Sequence, residues 1–570
     1  MECVKMATIA DQVFMNGKIF TGGKTPDFVQ ALAIKNGRIC SIGATSDMSK
    51  VIADNTEIID LEGRCMLPAF IEAHCHAQTM AHLMFLVNVS GGETLEEYIN
   101  TIRGFMEYNP AFPFILGNGW SNVVFPLKGP RKESLDCVSK EKPIAIWSMD
   151  HHSLWLNSKA LEMARITMDS PNPPGGVIER DENGSPTGTL RESAANGAIE
   201  CFQDFTIEQY KAGILEYQKM ANAYGFTGCF DAMLIEGGNP ISAYKELASS
   251  GELTMRFRGC YAMSPEKFNE QIEKFAEARG RDDAGDTFKI STIKIFADGV
   301  VEGGTAYLTE PYACGSGKGS DYRGAPIWDP EILYQAISKI ERNGFQIHVH
   351  SIGDGATKDV LDAFEHSTKS GNRFDLRHSV AHLQLVDPED ICRFKDLGVV
   401  AAANPYWFMK DDYYYSIQTR YLGSERAEKE YPFKSFINEG VIVTSGSDFP
   451  VTAEPNPLMA IQIGMTRKTP DSIYNVLHLD PEDVRYKETL WPEEKADLMD
   501  MINSFTFNAA YANFLEHETG SLAVGKSADM IILDGDIFSV SENDIGQLKV
   551  IATIFKGEEV HADESYKVKA

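Results

Sequence analysis

Apolar runs along this chain follow two rhythms. Over residues 8–66 they are short and end at turn residues. Gln12-Val13-Phe14-Met15 precedes Asn16-Gly17, and Ala31-Leu32-Ala33-Ile34 precedes Lys35-Asn36-Gly37-Arg38. Asn-Gly between apolar runs is a hairpin signal, so a small β unit is predicted here. Residues 516–570 repeat the pattern, with the runs Met530-Ile531-Ile532-Leu533 and Val550-Ile551-Ala552-Thr553-Ile554-Phe555. Neither segment can bury much apolar surface alone. The simplest packing joins residues 1–66 and 516–570 into one composite β-sandwich.

The second rhythm runs from about residue 200 to 515, where strand-like runs alternate with helix-like ones. Strand-like examples are Ser291-Thr292-Ile293-Lys294-Ile295-Phe296, Gln346-Ile347-His348-Val349-His350, Val399-Val400-Ala401-Ala402-Ala403 and Val441-Ile442-Val443-Thr444-Ser445. The intervening run from Asp387-Pro388 onward opens with a capping residue and a proline, as helices do. Alternating β and α with polar strand ends predicts a parallel sheet. The expected fold is therefore α/β, a (β/α)8 TIM-like barrel built from residues 67–89 and 200–515. Residues 90–199 break the repeat and are read as an inserted α+β subdomain over the active site.

The polar residues at strand ends carry the candidate chemistry. His74-Cys75-His76 ends the apolar run that begins at Leu67. Alternation along a strand points His74 and His76 to one face and Cys75 to the other. Two adjacent imidazoles are half of a metal site. Lys294, His350, His382 and Asp448 follow at later strand ends. Asp448 in an apolar setting is costly unless paired, hydrogen-bonded or metal-bound. Lys294 inside an apolar strand calls for a lowered pKa, a salt bridge or carbamylation by carbon dioxide. His348 and His378 share strand parity with His350 and His382 and compete with them for ligand roles.

Composition narrows the class. With 82 acidic against 53 basic residues, the net charge is -29, which argues against nucleic acid or an anionic membrane as partner. No apolar stretch is long enough to span a bilayer, and the N-terminus has no signal pattern. Ten cysteines without paired spacing read as reduced thiols in a cytoplasmic protein.

The chain also resembles the amidohydrolase superfamily, specifically the amidohydrolase family 3 branch that contains N-substituted formamide deformylase. The resemblance rests on the His-x-His strand, Trp155-Leu156-Asn157-Ser158-Lys159-Ala160-Leu161, Lys294-Ile295-Phe296-Ala297-Asp298-Gly299 and His350-Ser351-Ile352-Gly353-Asp354. Ser447-Asp448-Phe449-Pro450 and Gly520-Ser521-Leu522-Ala523-Val524-Gly525-Lys526-Ser527-Ala528-Asp529 complete it. Two departures stand in the first strand: Ala69 where glycine is usual, and Glu72 where aspartate is usual.

The resemblance implies roles. His74, His76 and Asp448 would bind the more buried metal, Lys294 as a carbamate would bridge two metals, and His350 and His382 would hold the outer one. Asp448 would also be the catalytic general base. One or two divalent ions are expected, zinc ahead of manganese or iron. His152, Trp120 and Asp298 are candidate substrate-binding residues, with Asp150 beside them. Trp120 could equally be subdomain core, and Asp298 a loop cap.

The expected activity is that of a metal-dependent amidohydrolase. It would cleave a linear, non-peptide C–N bond of a small molecule, an amide or N-substituted formamide, through a metal-bound hydroxide. Rival readings on the same scaffold are hydrolysis of a cyclic amide, ester or carbamate, deamination, and a non-catalytic binding protein. A homodimer is left open.

Overall fold

The computed structural model describes residues 8–566 except 24, 26, 122–123, 127, 150–151, 174–175, 203, 370 and 372–374. The chain divides into two compact units, one of Met1–Ala77 with Leu215–Ala570 and one of Gln78–Ile214.

The larger unit is built on eight parallel strands in unbroken neighbour order. We label them β1 (Phe70–Cys75), β2 (Phe226–Leu234), β3 (Arg256–Ala262), β4 (Phe288–Phe296), β5 (Gln346–Ser351), β6 (Ser379–His382), β7 (Val400–Ala403) and β8 (Val443–Ser445). Their continuous apolar runs fit strands covered on both faces. Helices return the chain between them. The helix Pro388–Leu397 shows how local chemistry sets its ends. Asp387 caps it by accepting from Glu389 N–H, proline fills the first turn, and Gly398 terminates it at φ 67°.

The ladder runs from β1 to β8, and main-chain and side-chain hydrogen bonds beyond it close the barrel. Asp448 N–H donates to His74 C=O at 2.8 Å, and His76 N–H donates to Phe449 C=O at 2.8 Å. The Glu72 carboxylate accepts from Ser447 N–H at 2.8 Å and from His74 N–H at 3.3 Å. Gly446 permits this approach, since a Cβ there would lie 2.6 Å from His74 N. Glu72, one of the two departures in the first strand, is thus the side chain that ties β1 to the turn after β8.

Two further sheets combine the ends of the chain. One has six strands in the order Glu558–Ala562, Val550–Phe555, Met530–Leu533, Cys65–Pro68, Lys18–Phe20 and Phe28–Val29. The other has four, in the order Arg38–Gly43, Ala31–Lys35, Gln12–Met15 and Glu57–Asp60. They share one core that includes Phe14, Leu32, Ile34, Met530, Ile532 and Ile554. The two Asn-Gly pairs behave differently. Asn36 and Gly37 both take positive φ and join Lys35 to Arg38 as a tight hairpin. Asn16-Gly17 is not a hairpin: the strands on either side of it belong to different sheets.

The smaller unit is α+β. Its sheet runs Gly176–Arg180, Pro186–Glu192, Ser153–Leu156, Ile144–Ser148, Ile115–Trp120 and Val87–Asn88. Tyr98, Trp120, Ile144 and Trp155 share its core. Among the described residues no helix is long and apolar enough to cross a membrane, and no cysteine is disulfide-bonded.

Candidate metal centre

His74 lies near the end of β1 and His76 one residue beyond it, and Asp448 follows β8 by three residues. Closure of the barrel brings them together, with His74 Nε2 3.2 Å and His76 Nε2 3.3 Å from Asp448 Oδ1. His382, at the end of β6, completes a set in which donor atoms of His74, His382 and Asp448 lie within 4.8 Å of one another. Asp448 takes φ 56° and His382 φ 75°, backbone states that cost energy in non-glycine residues and concentrate at functional sites.

The hydrogen bonds behind these rings fix which nitrogen faces inward. Asn404 Nδ2 donates to Gly446 C=O at 2.9 Å, so its Oδ1 is the atom turned toward His382 Nδ1, 3.0 Å away. His382 therefore donates from Nδ1 and keeps a lone pair on Nε2. His350 Nε2 lies 3.0 Å from Gly299 C=O, an acceptor, so His350 donates from Nε2 and its Nδ1 carries the lone pair.

His74 Nε2 and Asp448 Oδ1 are both buried, and neither makes a hydrogen bond despite their 3.2 Å separation. A buried imidazole nitrogen and a buried carboxylate oxygen that face each other unbonded are costly unless a cation lies between or beside them. Imidazole nitrogen and carboxylate oxygen are the donor types that suit zinc and related divalent ions. The residues present fit a metal.

Charge states agree with that fit. Burial, with Lys294 and neighbouring imidazoles nearby, holds His74 well below its ordinary pKa. Burial and the His350 ring do the same to His382. His350 is lowered to about 4 by burial and by Lys294. All three candidate ligands are neutral at neutral pH. Burial pushes the Asp448 carboxyl up, but its close contact with His76 and the nearby His382 and Lys294 outweigh it, and the net shift is downward. Asp448 is an anion.

Lys294 lies on β4, 1% exposed, in register with His348 of β5. Burial lowers its pKa to about 8, against the opposing pull of Cys260 and Asp448. Among the described residues no carboxylate pairs with its ammonium.

The two competing histidines have other partners. His348 Nε2 lies 2.7 Å from His74 Nδ1, and its Nδ1 lies 2.7 Å from Ser379 Oγ. It stands behind a candidate ligand. His378 accepts from Ile347 N–H at 3.0 Å and contacts Glu341 Oε1 at 3.0 Å. Cys75 points away, with its thiol 3.2 Å from Tyr217 Oη and 3.2 Å from Cys229 Sγ.

The three candidate substrate-binding residues have local partners. Asp298 is a loop organiser, accepting from the N–H groups of Tyr307, Ile352 and Gly353 at 2.8–3.0 Å. Burial raises it to about 7 while those three donors pull it down. Trp120 has no exposed surface and donates its indole N–H to Ile146 C=O at 2.9 Å, the contacts of a core residue. His152 is exposed, with Nδ1 3.1 Å from both carboxylate oxygens of Glu192. Asp150 lies outside the described residues.

The sequence reading passed over Glu72 as a clamp and Asn404 as the orienter of His382. Asn404 had a signal, being the first polar residue after the apolar run 399–403. Trp407 stacks on His382 with centroids 5.7 Å apart and planes 16° apart. Its indole N–H donates to Thr452 Oγ1 at 3.1 Å, in the loop beyond Asp448.

Known proteins share this architecture. The model of a family described as "Amidohydrolase family" matches residues 57–561. The protein LONG AFTER FAR-RED 3 of Arabidopsis thaliana is 27% identical over 97% of this chain and 92% of its own length. The N-substituted formamide deformylase of Arthrobacter pascens is 24% identical over 97% of this chain and 98% of its own. A crystal structure of an uncharacterized metal-dependent hydrolase from Pyrococcus furiosus superposes with a TM-score of 0.72 at 24% identity. It covers 92% of this chain and 99% of that one.

Proposed function

We propose that this chain, which belongs to the amidohydrolase family and is a metal-dependent hydrolase, cleaves a linear, non-peptide C–N bond in a small amide or N-substituted formamide. The observation that carries the metal chemistry is the buried, unbonded pair His74 Nε2 and Asp448 Oδ1. What supports the bond class is likeness along nearly the whole chain to a formamide deformylase.

His74, His76 and Asp448 would hold one divalent cation, with His350 and His382 holding a second. Zinc is the first choice for both. Such ions supply Lewis acidity, activating water at neutral pH and polarising a substrate carbonyl. The protein's own groups do the rest. Asp448, ionised and with Oδ1 turned to the two histidines, would accept the proton of the attacking water on its other oxygen. It would then return that proton to the leaving nitrogen as the C–N bond breaks. Trp407, stacked on His382 and pinned to Thr452, would wall one side of the site and exclude bulk water.

Lys294 would enter as a carbamate. Its neutral amine would add to carbon dioxide, forming an N–C bond and releasing one proton, and the buried lysine would become an anion able to help hold a divalent cation. A pKa lowered to about 8 supplies the neutral amine that this addition needs.

The test is a hydrolysis screen of N-substituted formamides, acylated amines, cyclic imides and esters with zinc-loaded wild type beside Asp448→Asn. Turnover of formamides or acylated amines, lost in the variant, is expected. Turnover confined to imides or esters would replace the bond class. A wild type that takes up no metal and turns over nothing would sink the hydrolase reading.

A further inference from the structure

The β5 residue His348 lies 2.7 Å from His74, which comes from β1 across the barrel interior. Its other nitrogen meets Ser379 Oγ at 2.7 Å, and Ser379 is its register partner on β6. His74, His348 and Ser379 are 1%, 2% and 6% exposed, so water does not share these bonds. The proton between two imidazole nitrogens can sit on either one, and the surroundings decide which.

Consider first a proton on His348 Nε2, donated to His74 Nδ1. His74 would then carry its own proton on Nε2, facing Asp448 Oδ1 at 3.2 Å. That N–H would be buried beside a carboxylate without bonding to it, because neither atom makes a hydrogen bond. A buried, unused donor keeps its desolvation penalty with nothing to offset it. The alternative leaves no such orphan donor. His74 donates from Nδ1 to His348 Nε2, and His348 donates from Nδ1 to Ser379 Oγ, whose lone pairs accept it. His74 Nε2 then presents a lone pair toward Asp448.

We propose that His348 and Ser379 are positioning residues that hold His74 in its Nδ1–H tautomer, so that Nε2 is set to bind a divalent cation before any cation arrives. The inference rests on the metal-centre reading above and adds residues outside that ligand set. It assigns His348 a role distinct from the ligand role for which its strand parity qualified it. Ordering of this kind behind a ligating histidine typically governs about 10–100-fold in metal affinity.

The experiment measures zinc affinity of the metal-stripped full chain by competition with a chromophoric chelator, alongside thermal unfolding of the same metal-free samples. His348→Phe keeps the ring volume and removes the acceptor. The tighter zinc site is expected to weaken about 10–100-fold while the metal-free protein stays folded. His348→Gln, whose amide can accept from His74 and donate to Ser379, should recover most of that loss. Ser379→Ala should fall between wild type and His348→Phe. A purely packing role predicts the opposite order, with the phenylalanine variant binding zinc like wild type and glutamine the worse tolerated. A folded His348→Phe with wild-type affinity overturns the proposal. If His348→Phe does not fold, Ser379→Ala decides: weaker zinc binding supports the relay, and unchanged binding overturns it. Wild type that binds no zinc refutes the metal centre itself, a result separate from any of these.

Discussion

The main-chain N–H of Asp448 donates to the carbonyl of His74 at 2.8 Å. A candidate base and a candidate ligand, 374 positions apart in the chain, are therefore fixed to each other through backbone. Their side chains meet on the same side of that bond, 3.2 Å apart. The candidate metal centre and the closure of the barrel share this seam, and whatever loosens the seam between β1 and β8 should loosen the site.

Gly446→Ala tests that coupling. The added Cβ would sit 2.6 Å from His74 N and 2.8 Å from Glu72 Oε1, and both are pinned. Overpacking of this kind costs about 1–3 kcal/mol. Urea unfolding should show that loss, and zinc per chain after purification should fall with it. Lower stability with undiminished metal would mean that the seam and the site are independent.

Asp448→Asn keeps the shape of the carboxylate and removes its charge and basicity. Loss of a general base lowers kcat by about 10²–10⁴-fold. Because the fold holds this carboxyl below its ordinary value, the metal-free variant should lose some stability in thermal unfolding at neutral pH yet remain folded. Steady-state kinetics on whichever substrate the screen identifies, set beside that unfolding curve, separates a chemical role from a structural one.

Lys294 predicts a dependence on carbon dioxide and on pH. Only the neutral amine is carbamylated, and its fraction rises as pH climbs toward about 8 and levels off above it. Reactivation of metal-stripped, bicarbonate-free protein by zinc should therefore be faster with added bicarbonate. At a fixed concentration of dissolved carbon dioxide, it should also be faster at higher pH up to that point. Reactivation indifferent to both would leave Lys294 an unmodified amine.

Much of this was legible in the sequence, for a definable reason. Histidine, lysine and aspartate that interrupt apolar runs stand out because burial would be costly without a purpose, but the preference for His350 and His382 over His348 and His378 comes from the family resemblance and their later place along the strands. What was not legible depends on the opposite wall of the barrel. His348 and His350 have the same parity and similar burial. They differ only in what faces them, His74 for one and Gly299 for the other. Trp120 is open to two readings in the sequence, substrate contact or subdomain core. The structure places it on the strand Ile115–Trp120 and buries it against Phe125. Glu72 read as a near-conservative change, since nothing local reveals that its carboxylate reaches the turn after β8. Asn16-Gly17 carried the same hairpin signal as Asn36-Gly37, and only the long-range pairing of the flanking strands distinguishes them.

A second pH effect concerns stability. Asp282 accepts from Tyr261 Oη at 2.8 Å, Lys245 Nζ at 3.2 Å and Arg281 Nε at 3.3 Å. Burial pushes its carboxyl up, but bonds from Arg281, Tyr261 and Lys245 outweigh that and hold it below the ordinary value. A carboxylate with a depressed folded pKa adds stability that is present above the unfolded value, about 4. That stability drains away as pH falls through the folded value. Asp282→Asn should be destabilised by about 1–3 kcal/mol at pH 7. The gap from wild type should narrow as the pH of urea titrations is lowered below about 4. A gap constant with pH would assign the loss to shape and not to charge.

Asp529 explains why the C-terminal motif matters to a barrel it does not enter. Its carboxylate meets Arg256 of β3 at 2.5 Å, with both side chains buried. The same carboxylate accepts from Ser527 Oγ at 2.7 Å and from Lys556 N–H at 2.9 Å. Arg256 also donates to Ser527 Oγ at 3.1 Å and stacks over Phe555 at 4.9 Å. One ion pair thus clasps the barrel to the sheet made by the chain ends. Removing one partner of a buried pair leaves the other charge stranded, at a cost of about 3–5 kcal/mol. Asp529→Ala should lose that much in urea unfolding. Arg256→Met with Asp529→Leu, which removes both charges and keeps apolar volume, should recover most of it. A double variant no more stable than the single would show that the hydrogen bonds to Ser527 and Lys556, and not the charge pair, hold the two layers together.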